Sequence, residues 1–247
     1  MAHYLEDGYY RESAAYAPVN ARVSFIRRTY LHLACSVAAL VGIEALLLRS
    51  LDTQAGREFF AQWFRSPISL LFVLAFFIAG GFLARYMARA SMPPAVKYLG
   101  LAIYTFIEAL FLLPILYIAI HRYGMGIVNQ AAVLTLVTFG GLTLTVLLTK
   151  KDFSFLGYGL MLASWLLLGL IIVAIVMPLM GGPAIGLGLW FSFLVIALAA
   201  GFILYDTSNI LHHYATNEHV GASLELLADV VLLFYHILRV LMLSRND

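Results

Sequence analysis

Charge is scarce in this sequence. Only 11% of its 247 residues are charged, against about a quarter in soluble globular domains. An ordinary soluble domain is therefore excluded. The net charge is only +2, and no basic patch appears, so nucleic-acid binding is not expected. A lone cysteine, Cys35, rules out an internal disulfide. No Walker loop, HExxH motif or nucleophile–base pair is present, which gives no support for an enzyme or a cofactor. The polar opening MAHYLEDGYYRESAAYAPVN has no signal-peptide apolar region.

What the chain does have is apolar length. Hydrophobic residues make up 63% of it. Several runs exceed the roughly 18–20 residues that span a bilayer. The expected fold is all-α: a polytopic membrane protein with seven transmembrane helices and no sizeable soluble domain. Residues 1–28 read as a polar N-terminal segment and 29–247 as the transmembrane domain. The predicted spans are 29–49, 67–88, 98–120, 131–149, 154–179, 185–205 and 221–243. In the fourth, Gly140 and Gly141 within TFGGLTLT are expected to let neighbouring helices approach closely. MPLMGGPAIG separates the fifth span from the sixth.

Orientation follows from Lys and Arg in the short loops. One side would carry Arg11, Arg22, Arg27, Arg28, Arg85, Arg89, Lys97, Lys150 and Lys151. The other would carry Arg49, Arg57, Arg65, Arg122, Arg239 and Arg245. Nine against six, with every lysine on the first side, predicts a cytoplasmic N-terminus and an outward C-terminus.

Ionisable residues inside spans cost about 2.5–3.5 kcal/mol each on insertion scales and usually face the protein interior. Here they are Glu44, Glu108, Glu225, Asp229, His236 and Arg239. Glu225, Asp229 and His236 fall on one face of the last helix. That face must look at other helices or at water, which suits a central helix. The sixth span ends its apolar run at Asp206, in ILYDTSNILHH. Asp206 and Asp229 would lie at similar depth on adjacent antiparallel helices. Two like charges in low dielectric resist joint ionisation, so a pair there is a candidate proton switch. The plainer reading makes Asp206 an interfacial residue that caps a turn through Thr207 and Ser208, with Asp229 in an unrelated hydrogen bond.

Other residues carry their own alternatives. Arg85 and Arg89, four apart, are either snorkelling anchors or a bridge to Asp206. Glu108 is either a pore-lining acid or an interhelical hydrogen-bond donor. His212, His213 and His219 are either solvated loop histidines or metal ligands. Glu44 receives no role.

Three stretches in order resemble the Bax inhibitor-1 family, also called the transmembrane Bax-inhibitor-motif proteins. They are TKKDFSFLG (149–157), GFILYDTSNILH (201–212) and SLELLADVVLLFYHILRVL (223–241), with a looser match at LAIYTFIEALFLLPIL (101–116). The bacterial YccA-like branch looks most similar. The resemblance implies seven helices with the last surrounded by the other six. It implies a pH-sensitive calcium leak in a bacterial inner membrane, with an N-terminus in the cytoplasm and a C-terminus in the periplasm. Asp206 and Asp229 would then be the sensor pair, and Arg85 or Arg89 the latch. Glu108 and Glu225 would be further intramembrane acids. Calcium would be the permeant ion, competing with protons at Asp206 and Asp229, since a hard cation prefers carboxylate oxygens. The same branch implies an alternative: a non-conducting regulator of a membrane-anchored ATP-dependent protease or of a stress response.

Overall fold

A computed structural model describes residues 13–51, 53–63, 67–89 and 91–245. The helices are α1 (Val19–Leu51), α2 (Gln54–Trp63), α3 (Pro67–Met87), α4 (Pro94–Tyr123), α5 (Met125–Thr149), α6 (Gly157–Leu179), α7 (Leu189–His212) and α8 (His219–Leu243). A 3-10 turn (Ser154–Leu156) leads into α6. All but α2 are long and apolar enough to cross a membrane, which gives seven spans. Arg11 and Arg65 of the charge count lie outside the described residues.

Local chemistry sets the helix ends. Proline opens α4, where its missing N–H costs no hydrogen bond. A single residue, Gly124, joins α4 to α5 at φ +82°, a left-handed conformation that glycine adopts without steric cost. Two ends differ from expectation. α1 begins at Val19, well before the predicted span. α7 does not stop at Asp206 but continues to His212. It continues because Thr207, Ser208, Ile210 and Leu211 are all buried in the bundle. That stretch is polar in sequence but interior in place, so Asp206 lies inside a helix and caps no turn.

Burial ranks the helices. Half of the most apolar window of α8 is buried inside the protein, against none of that of α6. Leu224, Leu226, Leu227, Leu233 and Leu238 of α8 are fully enclosed. The last helix is therefore central. It packs along its length on α1, α4, α5 and α7, rather than on all six other spans. α3 packs on α4 and α6, and α6 packs on α7. α3 approaches α8 only near its end, where a Cβ on Gly221 would lie 3.1 Å from the Ala88 carbonyl oxygen.

Close helix approach does depend on glycine, but not on the pair expected. Nothing lies within 4 Å of a Cβ built on Gly140 or Gly141. Both face outward from the bundle contacts. A Cβ on Gly100 would fall 2.8 Å from Met87 Cβ and 3.0 Å from the Ala84 carbonyl oxygen. One on Gly201 would fall 2.6 Å from Leu160 Cδ2. These two positions let α3 meet α4 and α6 meet α7, by the small-residue packing that holds helices together in lipid.

Candidate functional site

α3 and α7 barely touch each other, although each packs on a shared neighbour. Between them, against one face of α8, lies a cavity of about 1100 Å³. It sits at the end of the bundle that carries the α3–α4, α5–α6 and α7–α8 connections. Arg85 of α3, Arg89 two residues past its end, Asp206 of α7, and Glu225 and Asp229 of α8 all line it. The sequence-predicted residues thus converge on one space, with Glu108 the exception.

Arg85 and Arg89 differ sharply in what they meet. Arg85 Nε donates to both oxygens of Glu225, at 3.1 and 2.9 Å. Its guanidinium lies 5.7 Å from the ring centroid of Tyr104. Its charge also acts on Glu108, Asp206 and Asp229. Arg89 instead lies over Tyr86, 5.0 Å from the ring centroid. Arg85 is the arginine that faces the acids, and its direct partner is Glu225.

Asp206 and Asp229 stand within side-chain hydrogen-bonding reach of each other. Asp206 is half-buried. Asp229 is 5% exposed, and its Oδ2 has no partner among the described residues. A hydrogen bond between two carboxyl groups requires one shared proton, because two carboxylates only accept. The pair sits almost three turns into α8 from its first residue. Glu108 stands behind Arg85, not on the cavity wall, and its side chain reaches Tyr104 one turn earlier. In sequence Tyr104 reads as an ordinary span aromatic, although its spacing of four from Glu108 is a usable signal.

The rim is polar and built by the loop before α6. The Ser154 N–H donates to Asp152 Oδ1 at 2.9 Å. The Ser208 hydroxyl of α7 donates to the same oxygen at 3.3 Å and accepts from the Phe153 N–H at 2.8 Å. His213 Nε2 lies 3.5 Å from Asp152 Oδ2. The Ser154 amide, first among these contacts, holds the Asp152 carboxyl below its usual range. Burial, with Glu225 and Asp206 nearby, pushes the Tyr214 phenol up, so it remains a neutral group on the wall.

The three loop histidines point to different places. His212 Nδ1 lies 2.9 Å from the Ser208 carbonyl oxygen, and His213 meets Asp152. His219 stacks near His32, with ring centroids 5.0 Å apart. Among the described residues no group of three or more His, Cys, Asp or Glu is placed to hold a metal ion. Further along α8, His236 is buried against Phe191, 5.8 Å between ring centroids.

A bundle of seven membrane-spanning helices packed around its last helix defines the class of protein. The family described as "Inhibitor of apoptosis-promoting Bax1" matches residues 22–246, and the chain belongs to this Bax inhibitor-1 family. It is 31% identical to the Golgi anti-apoptotic protein of Vaccinia virus (strain Lister), over 98% of this chain and 95% of that one. It is also 31% identical to protein lifeguard 4 of Mus musculus, over 96% of this chain and 92% of that one. A bacterial relative from Helicobacter pylori is 26% identical, over 96% of this chain and 91% of its own.

Proposed function

We propose that this membrane protein is a slow cation leak, with calcium as its substrate ion, gated by proton occupancy of Asp206 and Asp229. The observation that carries the proposal is the acid pair at the foot of a cavity large enough for water. The shared proton ties α7 to α8. Loss of that proton sets two carboxylates against each other in a poorly solvated place, which loosens the contact. Arg85 then limits the repulsion, and its bond to Glu225 holds α3 in reach of the pair. A hard divalent cation would compete with the proton at Asp206 and Asp229, whose carboxylate oxygens line the cavity. Glu108 acts through Tyr104 and Arg85, as a positioning residue. In this reading the cavity opens to the cytoplasm of a bacterial cell, the N-terminus lies on the same side and the C-terminus is periplasmic. No catalytic role is assigned.

The test is calcium entry into proteoliposomes across roughly pH 5 to 8, the range of physiological proton switches. The wild type should conduct more as pH rises. Asp206→Asn and Asp229→Asn should each remove most of that pH dependence, and the double substitution should add little, as expected for coupled residues. Independent, additive effects would separate the two residues. Absence of calcium entry at every pH would favour the alternative, a non-conducting membrane regulator whose partner is a membrane-anchored ATP-dependent protease.

A further inference from the structure

A second cavity lies across α8 from the first. α1 and α5 both pack on α4 and α8 but barely touch each other, and a cavity of about 430 Å³ fills the gap between them. That volume falls in the range of small-molecule pockets, roughly 300–1,000 Å³. Its wall is built by apolar residues of four helices, among them Leu40, Leu116, Leu136 and Phe234. It begins beside Leu227, near the middle of α8, and runs toward the α4–α5 connection. Its mouth is flanked by Val41 and Met125, both exposed on the lipid-facing surface.

One ionisable side chain belongs to the wall of this space. Glu44 is 4% exposed, and neither carboxyl oxygen has a partner among the described residues. An isolated carboxylate in apolar surroundings is expensive unless it takes up a proton or something supplies the missing donor or charge. No described residue supplies it. Arg239, the cation on this half of α8, donates to the Leu187 carbonyl and lies 5.6 Å from the Phe191 ring centroid. The other polar side chains on the wall are Asn129 and Thr135, and the Thr135 hydroxyl donates to the Ala131 carbonyl at 2.8 Å.

We infer that the cavity between α1 and α5 is a binding site for a lipophilic monocation, an apolar body with one protonated amine that pairs with Glu44. Charge complementarity selects this ligand. An anion is refused by the carboxylate. A divalent metal ion needs six or more oxygens, and one carboxylate cannot provide them. A neutral lipid chain would fill the volume but leave Glu44 unpaired. The mouth opens toward the bilayer, where such an amine concentrates. The site is independent of the leak proposed above.

The experiment is fluorescence titration of the purified full chain in nanodiscs with dansylcadaverine, an apolar fluorophore with one primary amine. Its N-acetylated form serves as the neutral control. Saturable binding is expected for the amine, weakened roughly tenfold or more by acetylation or by Glu44→Gln, as for loss of a buried charge pair. Glu44→Asp should keep the preference for the charged probe. Ala132→Phe, which fills the cavity and leaves Glu44 in place, should abolish binding. Equal affinity for the two probes would overturn the proposal and leave an apolar cleft filled by lipid. So would binding that survives Ala132→Phe, or no saturable binding at all by the folded wild type. Should Glu44→Gln fail to fold, the two probes and Ala132→Phe still decide.

Discussion

On one face of α8, Glu225 and Asp229 look into a cavity of about 1100 Å³, where Arg85 bonds Glu225 and stands close to three further acids. On the opposite face, Leu227, Val231 and Phe234 look into a cavity of about 430 Å³, where Glu44 meets no partner among the described residues. The first space is lined by Asp206, Glu225 and Asp229 together with Arg85 and Arg89, at the end where three connections gather. The second is apolar and holds one acid. The same bundle therefore buries carboxyl groups in two ways. In one, a cation stands among the acids. In the other, none of the described residues offers one. The difference teaches that an intramembrane acid is read by its partners, not by its depth.

The largest effect expected from breaking this comparison is at Arg85. Arg85→Met keeps length and apolar bulk but removes the cation. Glu225, Asp206, Asp229 and Glu108 then face one another without it. Removing one partner of a fully buried pair costs about 3–5 kcal/mol. The Arg85 side chain is 43% exposed to the cavity, so we expect about 2–3 kcal/mol. Adding Glu225→Gln should restore much of the loss, because the two residues are coupled. Unfolding midpoints of the single and double variants check this. Equal losses in both would mean that Arg85 acts through packing on Tyr104 alone.

The next effect should have the opposite sign. Glu44→Met replaces a buried, unpartnered carboxyl with an apolar side chain of similar length. It should raise stability by about 1–2 kcal/mol, the lower part of the range for an unsatisfied buried polar group. A destabilised Glu44→Met protein would show that Glu44 already has a partner, and the two cavities would then be alike. One rising and one falling midpoint would establish the contrast directly.

Much of this arrangement is legible in the sequence, and the remainder fails for one physical reason. Seven spans and a central last helix follow from apolar length and from acids on α8 that cannot face lipid. The convergence of Asp206 with Asp229 follows from two antiparallel neighbours at similar depth. What hydropathy cannot give is which face of a helix meets which neighbour, because lipid and helix interior are both apolar. Gly140 and Gly141 were therefore indistinguishable from Gly100 and Gly201, although only the latter two sit at close helix contacts. Arg85 and Arg89 are four apart in sequence, but α3 ends at Met87, so Arg85 stays on the helix and reaches the acids while Arg89 lies past its end over Tyr86. α2 is short and carries polar residues among its apolar ones, so no span-length signal marks it. Glu44 read as an acid without a role because its role is defined by a cavity, and cavities have no sequence pattern.

The smallest effect sharpens the comparison at the rims. The apolar cavity lies beside the α4–α5 junction, a single glycine. The charged cavity is closed by Asp152, which ties the loop before α6 to Ser208 and His213 near the end of α7. The Ser154 amide, and after it Ser208 and His213, favour the ionised form of Asp152 in the folded protein. Its folded value is thus lower than its unfolded one. The stability it contributes is fully present above the unfolded value, about 3.9. It is lost as pH falls through the lower folded value. The carboxylate is half-exposed and screened by water, so Asp152→Asn should lower the unfolding midpoint at neutral pH by only roughly 1–2 °C. That gap should narrow as pH falls from about 4 and close below the lower folded value, where both proteins are neutral at this position. Melting curves of the two proteins in detergent across that range provide the measurement. A gap that widens in acid would show that the ionised clasp does not hold the loop at the rim of the charged cavity.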